Sequence, residues 1–155
     1  MDVVDSEALL EFTKDAKTIL DIGSGAGLPG IIIAIHQPGT KVVMSEKNKK
    51  KAYFIKRTIN QLNLNNAEIL DYAISPKTNP GAFDVITARA LGEINKIIYM
   101  SHHLLEFQGK FCLMKGTEER VNEELFDLDK KLYAYNVHKK SSKYTQRHIV
   151  EIYKK

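Results

Sequence analysis

The sequence predicts an α/β fold: a mostly parallel sheet with a C-terminal antiparallel pair and helices on both faces. Three observations carry this. Short β-branched apolar runs alternate five times with segments of helical spacing. A glycine-rich turn joins the first of those runs to the helix behind it, in "LDIGSGAGLPGIIIAI" (residues 20–35). The chain then closes with two strand-like runs and no helix between them, "YAYNVHK" and "QRHIVEIYK".

Taken in order, "SEALLEFTK" (6–14) predicts a helix with Ser6 as its N-cap. "TILDI" (18–22) is short, β-branched and stopped by glycines, which predicts a buried strand. "GIIIAIH" follows as a helix, ended by Pro38 and Gly39, and "KVVMSE" (41–46) is a second strand. In "NKKKAYFIKRTINQLNL" (48–64), Ala52, Ile55, Ile59 and Leu62 share one face of a helix. "AEIL" is a third strand, residues 75–82 a Pro/Asn/Gly-rich loop, and "FDVITA" (83–88) a fourth strand. A helix over 91–107, a strand over 109–116 and a charged helix over 118–131 precede the closing pair.

At 155 residues the chain is long enough to bury a core as one domain, expected to run from residue 1 to 155. Its 43% hydrophobic and 27% charged content is that of a globular protein, which excludes a disordered one. Cys112, the one cysteine, has no partner for an internal disulfide, so a reducing compartment is expected. No apolar run reaches the roughly 18 residues that span a bilayer. The start, "MDVVDSEALLEF", has neither the basic nor the apolar region of a signal peptide. A cytoplasmic location, no membrane partner and a monomer are the expectations. His102 and His103 come with no metal-ligand spacing, so no metal is expected.

The net charge of +4 is unevenly spread. Residues 41–57 hold seven Lys and Arg against Glu46, and residues 130–155 hold eight, Lys143 among them, against Glu151. Two such clusters point to a polyanion such as nucleic acid.

The glycine turn fits two motifs. Gly25, Gly27 and Gly30 spell the dinucleotide fingerprint G-x-G-x-x-G, with Glu46 about 20 residues on, where a ribose-binding acid belongs. Asp21, Gly23, Gly25 and Gly27 spell D-x-G-x-G-x-G, the first motif of S-adenosylmethionine-dependent methyltransferases. In that reading Asp21 faces the charged end of the ligand. Asp21 and the closing strand pair favour the second motif; Glu46 serves either, since both ligands carry a ribose diol. The fold expected is then the Rossmann-like, class I methyltransferase fold.

The blocks "DIGSGAGLPGIIIAI", "SEKNKKKAYFIKR", "FDVITARAL", "GKFCLMKG" and "RHIVEIYKK" occur in this order over essentially the whole chain. Together they resemble the RsmG (GidB) family of ribosomal-RNA guanine-N7 methyltransferases. The resemblance implies S-adenosyl-L-methionine as methyl donor and a guanine of bacterial 16S ribosomal RNA, or of the small subunit, as acceptor. It implies cofactor contacts at Gly23 and Leu28, at the Ala73–Ile74 pair and at Arg89. Ile74 stands where the family usually has a glutamate, so its contact is expected through the backbone. The family carries a further helical segment ahead of "DSEALLEF", and against that pattern the chain is expected to be shortened at its amino end.

The chemistry is consistent with these residues. Guanine N7 has a lone pair and no proton to lose, so its methylation needs positioning rather than a general base. The Asn/Asp-Pro-Pro-aromatic motif of exocyclic-amine methyltransferases is replaced here by "TARA" (87–90), and Cys112 lies in the apolar run "FCLM" as core filling. Arg89 and Lys115, at the ends of the fourth and fifth strands, are the expected substrate-positioning residues. Lys49, Lys50, Lys51, Lys115, Arg147 and His148 are the expected RNA contacts. Two other classes stay open at this point. One is a dinucleotide-binding oxidoreductase domain, the other a non-catalytic RNA- or cofactor-binding remnant of the methyltransferase fold.

Overall fold

A computed structural model describes residues 2–141 and 146–155, apart from the side chains of Asp2 and Ser141. The predicted Lys143 of the second basic cluster lies outside the described residues. Seven strands form one sheet in the order β3-β2-β1-β4-β5-β7-β6. They are β1 (Thr18–Ile22), β2 (Lys41–Ser45), β3 (Ala67–Leu70), β4 (Phe83–Arg89), β5 (Leu105–Lys115), β6 (Tyr133–Ser141) and β7 (Gln146–Lys154). The first five pair in parallel, while β7 runs antiparallel between β5 and β6. Among the described residues six α-helices pack around it: α1 (Asp2–Glu7), α2 (Leu10–Thr13), α3 (Gly30–His36), α4 (Lys49–Gln61), α5 (Ile94–Ser101) and α6 (Glu118–Phe126).

Strand alternation sorts the core into two layers. Leu20, Ile22, Ile86, Ala88, Phe111, Leu113 and Val150 face α5 and α6, where Ile94, Ile97, Val121 and Leu125 cover them. Ile19, Val42, Met44, Val85, Cys112 and Ile149 face the other way, under Leu9, Ile31, Ile33, Ile55 and Ile59 of the first four helices and their links. Burying the isoleucines of α4 stabilises the domain by roughly 1.5–3 kcal/mol each. Burial also pushes the Cys112 thiol up to about 12, leaving it protonated and inert.

The strand order reverses between β1 and β4: the chain steps outward from β1 to β2 and β3, then returns to β4 on the other side. In such sheets a crevice opens at the carboxyl ends of those two strands.

Several expected boundaries shift. The predicted helix over 6–14 is two short helices, and Ser6 lies inside α1 with its carbonyl oxygen accepting from the Leu9 amide. The predicted helix over 91–107 is shorter at both ends. It starts at Ile94 and gives way to a 3-10 turn at His102–Leu104, so Leu105 joins β5 opposite Phe83 of β4. The charged helix stops at Phe126 rather than residue 131.

Candidate active site

The glycine turn between β1 and α3 runs through the left-handed region three times, at Gly23, Gly25 and Gly27, with φ of 67°, 59° and 90°. Two positions show why only glycine serves. At Gly27 a Cβ would lie 2.7 Å from Ile31 Cγ1, in a conformation that L side chains rarely adopt. At Gly30 a Cβ would lie 2.5 Å from Met44 Cγ and 3.0 Å from an Asp21 carboxylate oxygen, so α3 packs directly on β2 and on the acid.

Two carboxylates hold this turn from beneath and behind. Asp21 is 0% exposed. Its Oδ2 accepts from the Ser24 hydroxyl at 2.6 Å and the Gly30 amide at 3.1 Å, and its Oδ1 from the Thr87 hydroxyl at 2.9 Å. Burial pushes its pKa up to about 6, against the lowering effect of those three donors and of the charge on Arg89. Asp21, expected to face a ligand's charged end, is here engaged by three donors of the protein itself. Ile19 and Asp21 share the α3 side of the sheet, so the carboxylate enters the space under the turn and fixes its shape. Glu46 grips the outer side, with Oε2 accepting from the Gly25 amide at 2.9 Å and Oε1 from the Asn48 amide at 2.8 Å. Asn48 in turn caps α4 by accepting from the Lys50 and Lys51 amides. The Gly23 and Ser24 amides donate to the Ser45 carbonyl oxygen at 2.8 and 3.0 Å.

In front of the turn lies a cavity of about 550 Å³. It brings together Gly23, Ser24, Gly25 and Leu28 of the turn, Arg89 and Ala90 of β4 and the bend behind it, Met114 and Lys115 of β5, and Arg147 of β7. Ala90 takes a left-handed φ of 53°, a strained conformation for a residue with a Cβ, which turns the chain sharply just after Arg89. Of the expected site residues, Gly23, Gly25, Leu28, Arg89, Lys115 and Arg147 line this cavity. Asp21, Gly27 and Glu46 support its floor from outside. Ala73 is exposed and Ile74 is buried in the core, so a contact at Ile74 could come only from its backbone. The Ser45 hydroxyl donates to the Tyr72 carbonyl oxygen at 2.6 Å, which keeps this segment beside the end of β2.

Two expected RNA contacts are engaged within the protein. The side chain of Lys115 is 8% exposed; its ammonium pairs with Glu124 Oε2 at 2.7 Å and donates to the Gly92 carbonyl oxygen at the cavity wall. His148 is 1% exposed and its Nδ1–H donates to the Gly116 carbonyl oxygen at 2.6 Å, so it braces the β5 end from within. The functional residues that motif reading missed are the braces: Ser24, Thr87, Arg120 and Glu124. Glu124 accepts from Lys115, from Arg120 and from the Ile94 amide at 2.9 Å, joining β5, α5 and α6 at the cavity rim. Pairing of β1 with β4 sets Asp21 beside Thr87 in register, a neighbourhood that local sequence does not signal.

Both basic clusters are partly ion-paired, Lys41 with Glu68 in the first among them. In the C-terminal one, Lys139 pairs with Glu118, Lys140 with Glu11, and Arg147 with Asp5 at 3.1 Å. In the other, Lys49 pairs with Asp71 at 2.9 Å, whose carboxyl it holds below the usual range. Lys47, Lys50, Lys51, Lys56 and Arg57 form no ion pair among the described residues and stand exposed around the start and outer face of α4.

The chain matches the family model described as rRNA small subunit methyltransferase G (GidB) over residues 1–150. It is 36% identical over 138 residues to the ribosomal RNA small subunit methyltransferase G of Helicobacter acinonychis (strain Sheeba), covering 86% of this chain and 78% of that one. It is 33% identical over 150 residues to the protein of that name from Coxiella burnetii (strain CbuG_Q212), covering 97% and 72%. Among solved structures, a methyltransferase from Pyrococcus furiosus aligns with a TM-score of 0.76 at 22% identity, over 96% of this chain and 82% of that one. A precorrin-6y C5,15-methyltransferase from Geobacter metallireducens GS-15 aligns with a TM-score of 0.75 at 18% identity, over 96% and 87%. The fold is the Rossmann-like fold of these methyltransferases.

Proposed function

The chain belongs to the rRNA small subunit methyltransferase G family, and we propose that it transfers a methyl group from S-adenosyl-L-methionine to N7 of a guanine in bacterial 16S ribosomal RNA. The observation that carries this is the cavity floor. A left-handed glycine turn, held by Asp21 below and Glu46 behind, faces an open volume at the point where the strand order reverses. A Cβ at Gly27 or Gly30 would strike Ile31 or Met44 in the core, so these glycines let the turn pack closely while Gly23 and Gly25 offer their backbone to the cavity.

Gly23, Gly25 and Leu28 would hold the amino-acid end and nucleoside of the donor along this floor. Glu46 would take the ribose hydroxyls, because each carboxylate oxygen accepts more than one hydrogen bond and each is now engaged by a single amide. The Ala73–Ile74 backbone is the proposed edge of the adenine subsite. When bound, the donor supplies a methyl on a sulfonium, an electrophile that needs no activation. N7 attacks with an in-plane lone pair and gives up no proton, so the residues around the cavity have to align rather than deprotonate. Alignment alone can contribute roughly 7–11 kcal/mol. Glu124, a carboxylate in the cavity lining, is engaged by donors, as that chemistry permits. Arg89 presents a planar fork at the wall, suited to acceptors of the guanine or of the donor.

The first test is a melting experiment with S-adenosylhomocysteine and NAD. A ligand at 100 times its Kd stabilises by about 2.7 kcal/mol, a rise of several degrees for a domain of this size. S-adenosylhomocysteine should give that rise and NAD none. Methyl transfer to a 16S RNA fragment, with 7-methylguanosine identified by mass spectrometry, completes the test. Product at another atom, or a shift with NAD alone, overturns the proposal.

A further inference from the structure

We propose that the outer face of α4 is a stacking platform for unpaired bases of the RNA, lying beside the active site; the inference rests on the RNA reading above. Lys50, Tyr53, Phe54 and Arg57 stand at positions i, i+3, i+4 and i+7, a single stripe along the helix. The opposite face, Ala52, Ile55 and Ile59, is already buried in the core, so the stripe has no packing role. Its two rings are 64% and 55% exposed, and the cations at either end form no ion pair among the described residues.

Isolated exposed aromatics are common and need no explanation. Phe126, also exposed, stands beside acidic residues, Glu123 and Asp127. Tyr53 and Phe54 differ in having an all-cationic setting: Lys50, Lys51, Lys56 and Arg57 surround them. That pairing of flat apolar faces with unneutralised positive charge complements a chain of bases on phosphates. Location supports it too. The amino end of α4 is tied to the glycine turn through Asn48 and Glu46, so the stripe starts at the same carboxyl edge of the sheet as the site. Unpaired RNA is the form that fits, since bases inside an A-form helix have no free face to offer.

The test compares wild type, Tyr53→Ala/Phe54→Ala, Tyr53→Trp/Phe54→Trp and Lys50→Gln/Arg57→Gln, each with S-adenosylhomocysteine affinity measured alongside. On a looped small-subunit RNA fragment, the alanine pair should bind about tenfold more weakly per lost ring at an unchanged salt slope. The tryptophan pair should restore binding, and an RNA duplex of equal length should show less than a twofold loss. The glutamine pair should instead flatten the slope of log affinity against log salt by about 1.4, roughly 0.7 per contact. Equal losses on loop and duplex, or none on either, overturn the platform. So does a loss confined to binding of phosphatidylserine vesicles, which would make the stripe a membrane-facing one. Wild-type protein that binds S-adenosylhomocysteine but no RNA overturns the RNA reading itself. Wild type that binds and methylates RNA, with an indifferent alanine pair, overturns only the platform.

Discussion

Replacing Asp21 by Asn tests whether the acid under the glycine turn is a structural brace. Burial penalises the charge and pushes the folded carboxyl up to about 6 from an ordinary 3.8. An acid whose pKa rises on folding binds its proton more tightly in the native state, so its contribution falls as pH rises from 3.8 to 6. From well below 3.8 to well above 6 the loss is about 3 kcal/mol, of which about 2 kcal/mol falls between pH 4.5 and 7.5. Asp21→Asn cannot ionise and escapes this loss. Near pH 4.5 the protonated wild-type carboxyl already carries a donor, as the Asn amide does, so the Thr87 hydroxyl accepts in both proteins. The variant should therefore gain about 2 kcal/mol on the wild type between pH 4.5 and pH 7.5. Urea unfolding of both proteins across that range measures it, since every other titrating group is common to both and cancels. Parallel stability curves would refute the buried, proton-binding brace.

Two further predictions concern neighbouring groups. Glu124→Gln should cost roughly 3–5 kcal/mol in urea unfolding, because it leaves the buried Lys115 ammonium uncompensated. Lys115→Met combined with Glu124→Gln should cost less than the sum of the single changes; strict additivity would mean that the pair does not interact. At the ribose position, Glu46→Ala should weaken S-adenosylhomocysteine binding at least tenfold by calorimetry, since a hydrogen bond to a charged group is worth roughly 1.5–3 kcal/mol. Glu46→Gln, which keeps one acceptor for the Gly25 amide, should lose less; affinities equal to wild type would place the ribose elsewhere.

The helix over 91–107 shows where local pattern stops being informative. The run "HHLLEF" is apolar and polar in an order that suits a helix turn or a strand start equally. Leu105 becomes β5 because Phe83 of β4 lies opposite it, a partner 22 residues away that no local window contains. Asp21 marks a different limit. The spacing D-x-G is the same whether the acid faces a ligand or the interior, and the answer needed its neighbours Gly30 and Thr87 in place.

By itself the sequence determined the parallel sheet, its closing antiparallel pair, and the glycine turn at the carboxyl end of β1. Those features rest on period and on backbone freedom, both of which are local properties of residues. Tertiary structure decided which charges are available. Lys140 finds Glu11 and Arg147 finds Asp5, across most of the length of the chain, because β6 and β7 fold back beside the first two helices. Lys50 and Arg57 meet no acid on the outer face of α4 and keep their charge open. Distant acids tie down Lys139, Lys140 and Arg147 in one cluster and Lys41 and Lys49 in the other, while the outer face of α4 keeps a cationic stretch without an ion pair among the described residues, since an ion pair depends on distance in space and not on position along the chain.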